Sequence, residues 1–187
     1  TDGPFATIAA VAPALRERTL TVNGASKAFA MTGWRIGFAG GPKPLIAAMA
    51  KAQSQSTSNP CAIAQAATLG ALTGDLSFLA ERCAAFRRRR DLVVGRIAAI
   101  SGLSLDPPEG AFYAYVGCEG LVGRQTADGR RLASDEDVAA WLLDAGVAVV
   151  HGAAFGASPA FRVSYATSDA LLATACDRIA EAVASLR

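Results

Sequence analysis

The sequence predicts an α/β chain in two parts, strands and helices over residues 1–85 and an α+β region over 86–187, entered through a long helix spanning about 76–100. Three observations predict it. Residues 19–22 and 34–41 alternate in the manner of strands, with helical stretches around them. Apolar residues at 76, 79, 83, 86, 93, 97 and 100 keep a three-and-four spacing for longer than one compact layer needs, so this helix reads as a bridge between two lobes. Beyond it, short strand-like runs alternate with helical stretches.

In order, residues 9–15 form a short helix and 19–22 a strand that Asn23-Gly24 ends. In 34–41, Trp34, Ile36 and Phe38 take one face and Arg35, Gly37 and Ala39 the other. The small residues leave room beside the arginine. Residues 44–53 read as a helix entered through Pro44. The polar run 53–60 ends in Asn59 as N-cap with Pro60 at the first helical position, and a helix over 61–72 is closed by Gly74. The run from Arg87 to Arg90 is a solvated face of the long helix, which Gly102 stops. Residues 103–105, 111–115, 147–150 and 161–165 read as strands, and the glycine- and charge-rich 117–133 as a loop. A helix over 135–145 is opened by Ser134 with Asp137 three residues on and closed by Gly146. The last helix, 169–186, keeps Leu172, Cys176, Ile179, Val183 and Leu186 on one stripe.

An apolar content of 52% is ample for a core. A net charge of +2, with acids and bases mixed along the chain, argues against nucleic acid as a partner and leaves small-molecule chemistry open. Cys61, Cys83, Cys118 and Cys176 have no close spacing and the lone His151 cannot complete a ligand set, so no metal is expected and the thiols read as reduced and mostly buried. No apolar run approaches the ~20 residues of a membrane span and no signal segment opens the chain, so a cytoplasmic protein is expected. The chain opens without methionine, as a processed, cleaved or partial polypeptide would.

Chemistry concentrates in residues 23–37, where Lys27 and Arg35 stand between two strand-like runs among small and apolar residues. A lysine nucleophile works unprotonated, so its ordinary pKa of about 10.4 must be lowered by apolar or cationic surroundings. Alanines, Phe29, Met31 and Arg35 offer such surroundings to Lys27. A guanidinium beside Gly37 and Ala39 can grip a phosphate dianion in a bidentate fork. An amine plus a phosphate clamp is what an aldehyde-bearing phosphorylated cofactor requires. Near the other end, alternation sets Arg162 opposite the core-suited Phe161 and Val163.

Gly24-Ala25-Ser26-Lys27 followed by Thr32-Gly33-Trp34-Arg35-Ile36-Gly37 resembles the pyridoxal-phosphate (PLP) lysine signature of the class I/II aminotransferases of fold type I. Ser56-Thr57-Ser58-Asn59-Pro60 and Arg89-Arg90-Asp91-Leu92 resemble segments of bacterial aspartate aminotransferases, Gly110-Ala111-Phe112-Tyr113 resembles the family's small-domain strand, and residues 161–168 resemble the stretch whose arginine grips the substrate α-carboxylate. The resemblance covers essentially this whole chain and only the family's carboxyl-terminal part. It implies the end of a PLP-transferase large domain, a mainly parallel sheet flanked by helices, over residues 1–85, and an α+β small domain over 86–187. It also implies pyridoxal 5'-phosphate as cofactor, with Lys27 forming the Schiff base, Arg35 binding the cofactor phosphate and Arg162 the substrate. The reaction implied moves an amino group from an L-amino acid, aspartate favoured, to a 2-oxo acid. A homodimer with active sites at the interface is implied, the Ser56 to Asn59 run being a candidate to reach the neighbour's site. His151 stands where many members have proline, and a structural role is expected of it. The rival readings are a lyase or synthase of the same fold, the effector domain of a transcription regulator, and a fragment without a complete site.

Overall fold

The computed structural model describes residues 5–187; the expectation about how the chain opens lies outside them. The chain forms two compact units, one ending at Glu81 and the other Arg82–Arg187.

The first unit holds α1 (Ile8–Val11), a 3-10 turn at Pro13–Arg18, β1 (Thr21–Gly24), α2 (Ala25–Ala28), a second 3-10 turn at Thr32–Trp34, β2 (Gly37–Gly40), α3 (Lys43–Ser54) and α4 (Ala62–Thr73). The helix expected over 9–15 is broken at Pro13, which has no N–H to continue it. β1 and β2 pair antiparallel, Thr21 with Gly40 through Gly24 with Gly37. The mainly parallel sheet of the resemblance is represented among the described residues by this one pair. Asn23-Gly24, expected to end the first strand, lies inside it.

The strand expected over 34–41 begins only at Gly37, and Arg35 is not on a strand face. Trp34 N–H donates to the Met31 carbonyl at 3.1 Å, and Arg35 follows in the left-handed region at φ 53°. That reversal lets Met31 and Ile36 bury together with Ala25 and Ala64. A local pattern of alternating residues cannot register it.

α4 starts two residues later than its sequence signals suggest. Cys61 is extended at ψ 128° and serves as N-cap, while the Gln65 side chain donates to the Pro60 carbonyl at 2.8 Å and holds that residue outside the helix.

The division between the units falls inside α5 (Phe78–Ala98). Of its apolar stripe, Val93, Ile97 and the following Ile100 are buried, whereas Leu76 and Cys83 are exposed. The second unit continues with β3 (Tyr113–Gly117), α6 (Asp135–Asp144), β4 (Val150–His151), a 3-10 turn at Gly152–Phe155, β5 (Ala160–Ser164) and α7 (Asp169–Ala184). The strand expected over 103–105 reduces to a single bridge between Ser104 and Gly117. The strand expected from 111 starts at Tyr113, because Ala111 turns the chain at φ 60°. α6 opens with the expected capping box, Ser134 accepting from Asp137 N–H at 3.2 Å while the Asp137 carboxylate accepts from Ser134 N–H at 3.0 Å.

The sheet is antiparallel in the order β3–β5–β4. Its pleat separates two faces. Ala114, Val116, Phe161 and Val163 face a core shared with Val93, Ile97, Val138, Leu142, Leu172, Ile179 and Val183. Tyr113, Tyr115, Val150 and Arg162 share the other face, with Tyr115 and Val150 flanking Arg162 in register. Cys118 and Cys176 are buried, whereas Cys61 and Cys83, also expected to be mostly buried, are exposed. Burial, with the negative charges of Asp135 and Glu119 adding to it, pushes the Cys118 thiol up to about 12 and keeps it protonated.

Candidate active site

In the first unit a closed turn carries two cations. Lys27 lies on α2, one short turn that Gly24 enters in extended conformation and Ala25 anchors in the core. The Thr32 hydroxyl donates to the Ser26 carbonyl at 3.0 Å, and the Arg35 guanidinium donates from Nη1 to the Thr32 carbonyl at 2.9 Å. These bonds tie the lysine-bearing and arginine-bearing ends of the turn to Thr32.

Ala30 and Arg35 are both left-handed, at φ 55° and 53°. Each such non-glycine residue costs about 1 kcal/mol or more, and outliers of this kind cluster at functional sites. Lys27 and Arg35 are exposed, as are Ala28 and Ala30, so the enclosing apolar setting expected for the lysine is not formed by the described residues around it. Met31 turns into the core instead. The donor set suits a phosphorylated aldehyde: a primary amine for the carbonyl carbon, and a guanidinium for the dianion at the other end of one fixed turn.

In the second unit Arg162 lies between two aromatic rings. Its guanidinium carbon stands 4.1 Å from the Tyr113 centroid and 4.4 Å from that of Phe155. Phe155 meets the Tyr115 ring edge-on at 6.2 Å. Among the described residues no carboxylate is within ion-pair distance of Arg162. Held against aromatic rings rather than an acid, the guanidinium keeps its N–H donors for a carboxylate. Alternation thus set Arg162 on the correct face, away from the core.

His151 pairs with Phe161 and so lies toward the core face, the side away from Arg162, with Nδ1 3.8 Å from a Glu136 carboxylate oxygen. A concavity of about 550 Å³ in this unit is lined by both Asp106 and Glu119 beside Tyr113 and Tyr115. Those two acids make it a poor seat for an anion.

Phe155, Tyr115 and Asp135 were not singled out by sequence reasoning. A usable signal existed for two of them: Tyr113 and Tyr115 fall on alternate positions of one strand, and Phe155 is an aromatic followed by glycine in a loop. Nothing local marks Asp135, whose partners are 18 to 25 residues away. Among the described residues no cluster of His, Cys, Asp and Glu could hold a metal ion, and no helix is long and apolar enough to cross a membrane.

Comparison with known proteins places the chain in a family. The model of the family "Aminotransferase class I and II" matches residues 2–179. The aspartate aminotransferase of Rhizobium meliloti (strain 1021) is 59% identical over 179 residues, which are 95% of this chain and 44% of that protein. An aspartate/prephenate aminotransferase of Cereibacter sphaeroides is 55% identical over 179 residues, 95% of this chain and 45% of that protein. The crystal structure of the Rhizobium meliloti aspartate aminotransferase superposes with a TM-score of 0.94 at 58% identity, covering 98% of this chain and 46% of that one. The chain therefore spans less than half the length of the curated relatives it matches. With residues 2–179 matched and an α/β fold shared with these enzymes, the chain belongs to the class I and II aminotransferases.

Proposed function

We propose that this chain is part of a PLP-dependent aminotransferase, cytoplasmic and homodimeric, that moves an amino group from an L-amino acid, aspartate favoured, to a 2-oxo acid. The observation that carries the proposal is the strained turn in which one hydrogen-bonded threonine joins the Lys27 and Arg35 ends. Residues 1–85 then belong to the large, cofactor-holding domain and 86–187 to the small domain.

Bound pyridoxal phosphate would supply the electron sink that makes the substrate α-proton acidic. Lys27 would hold the cofactor through its aldehyde carbon and, as a free amine, would be the base that takes and returns the substrate α-proton. Arg35 would hold the cofactor phosphate through charge-assisted hydrogen bonds. Arg162 takes the substrate α-carboxylate, and its aromatic clamp limits the orientations the carboxylate can adopt.

The full-length protein supplied with pyridoxal phosphate, aspartate and 2-oxoglutarate is expected to form glutamate and oxaloacetate in equal amounts. Ammonia or a side-chain fragment in place of a paired amino acid and oxo acid would identify a lyase and overturn the proposal.

The left-handed backbone at Arg35 permits a clean test of the phosphate role. Arg35→Gly relieves the strain at φ 53° while removing the guanidinium. Thermal stability of the cofactor-free protein is expected to hold or rise, while cofactor affinity falls about 10- to 100-fold, the worth of a hydrogen-bonded charge pair. Equilibrium dialysis with pyridoxal phosphate reads the second quantity and calorimetry the first. Unchanged affinity would remove Arg35 from the site.

A further inference from the structure

We infer that Asp135 is a positioning residue for Arg162: from the start of α6 it clasps the loop that lays Phe155 over the guanidinium. The inference rests on the reading of Arg162 as the carboxylate-binding residue.

Asp135 is 3% exposed, and a carboxylate so buried is tolerated only when its oxygens are hydrogen-bonded. One oxygen, Oδ2, accepts from three donors: Ala153 N–H at 3.2 Å, the Ser158 hydroxyl at 2.5 Å and Ala160 N–H at 3.2 Å. These donors lie at the entry and the exit of the segment 152–160, so one atom of α6 draws both ends of the loop together. Burial pushes this carboxyl up, but the bonds from Ser158, Ala160 and Ala153, with the charge of His151, outweigh it and hold the group below the ordinary carboxylate range.

From the other side, the Tyr115 hydroxyl donates toward the Ala157 carbonyl at 2.6 Å and lies 3.2 Å from that of Gly152. A side chain at Gly152 would meet that hydroxyl at 2.8 Å and the Ala160 carbonyl at 3.0 Å, so the closure demands glycine. Within the loop Gly156 N–H donates to Ala153 at 3.1 Å and Ala157 N–H to Gly152 at 3.2 Å. Phe155 rides on this closed loop 47% exposed, with the Tyr115 ring as its edge-on neighbour, so the position of the loop carries its ring to 4.4 Å from Arg162. Asp135 touches neither Arg162 nor the substrate in this scheme. It acts through the loop and Phe155.

The test uses the full-length protein loaded with pyridoxal phosphate, with maleate, a dicarboxylate that carries no amino group, as binding probe. Asp135→Asn, which keeps the shape and removes the charge, is expected to raise the maleate Kd and the KM for aspartate about fivefold, less than the full worth of a charged hydrogen bond because the effect reaches Arg162 only through the loop, with kcat within about twofold and the cofactor absorbance unchanged. In a Phe155→Ala background the same substitution is expected to add less than about twofold, because its route to Arg162 is already cut. A lowered melting temperature with Kd and KM unmoved would assign Asp135 a purely structural role and overturn the inference. So would full additivity with Phe155→Ala. Should Asp135→Asn fail to fold, Ser158→Ala decides: it removes one donor and is expected to raise the Kd about threefold, and an unchanged Kd overturns the inference. Arg162→Lys separates the two claims. If it leaves maleate binding intact, the carboxylate role itself fails; if it weakens binding while the Asp135 and Ser158 variants do not, only the positioning role fails.

Discussion

Lys27→Ala in the full-length protein is expected to abolish the absorbance band of protein-bound pyridoxal phosphate and to lower kcat by about a thousandfold or more. A positioned acid–base group contributes 10²- to 10⁴-fold, and here the same amine would also anchor the cofactor. The substitution should leave the fold intact. Lys27 is exposed at the end of a four-residue turn whose packing comes from Ala25, and alanine is at least as good a helix former as lysine. A melting temperature of the cofactor-free protein within a few degrees of the cofactor-free wild type, with the band gone, therefore separates a chemical role from a structural one. Retention of the band and of activity would remove Lys27 from the reaction. Arg35→Gly is the complementary case, since it loses affinity for the cofactor while leaving the amine in place.

The contrast between these cations and Arg162 shows what the sequence can carry. The capping box at Ser134 and Asp137 is a three-residue device, and the stripe from Leu172 to Val183 is a property of one helix, with Leu186 buried just past its end, so both are legible locally. The face of Arg162 was legible for the same reason: in a strand, alternation decides which side a residue takes, and Phe161 and Val163 are buried on the other. Arg35 followed no such rule. The run from Trp34 to Gly41 alternates as a strand would, but the burial of Met31 and Ile36 with Ala25 and Ala64 bends it into a 3-10 turn and a left-handed residue. The competing interaction is with residues as far off as α4, beyond any local pattern. α4 departs for a nearer reason: the Gln65 side chain, five residues on, holds the Pro60 carbonyl, and Cys61 rather than Asn59 is the N-cap. The aromatic clamp and its Asp135 clasp were hidden for a third reason. Their members come from β3, β5, α6 and the 152–160 segment, and only tertiary folding makes them neighbours.

Residues 82–187, expressed alone, are expected to unfold in one cooperative transition with about 5 kcal/mol or more of stability, whereas residues 5–81 alone are expected to show none. The two units differ in what they bury. In the second, twenty buried apolar residues form one cluster between the β3–β5–β4 sheet and helices α5, α6 and α7, and Phe86 of α5 adds ring contacts with Phe112 and Tyr165 at 6.1 and 6.4 Å. In the first, the buried cluster consists of Ala25, Met31, Ile36 and Ala64. Its large apolar side chains are exposed instead: Val22 and Phe38 on the strand pair, Leu45 and Met49 on α3, and Ile63, Leu69 and Leu72 on α4. Chains of this length with so small a core cannot offset the conformational entropy of folding. The relatives, more than twice as long as this chain, have the additional length to cover such faces. Trp141 is 7% exposed and is the sole tryptophan in 82–187, so its fluorescence reports unfolding of that unit directly, and dye binding reports the exposed apolar faces of the other. A cooperative transition in the isolated 5–81 segment would show that its small cluster suffices. It would also mean that the turn bearing Lys27 and Arg35 is held by this unit alone, without the covering the relatives' extra length could provide.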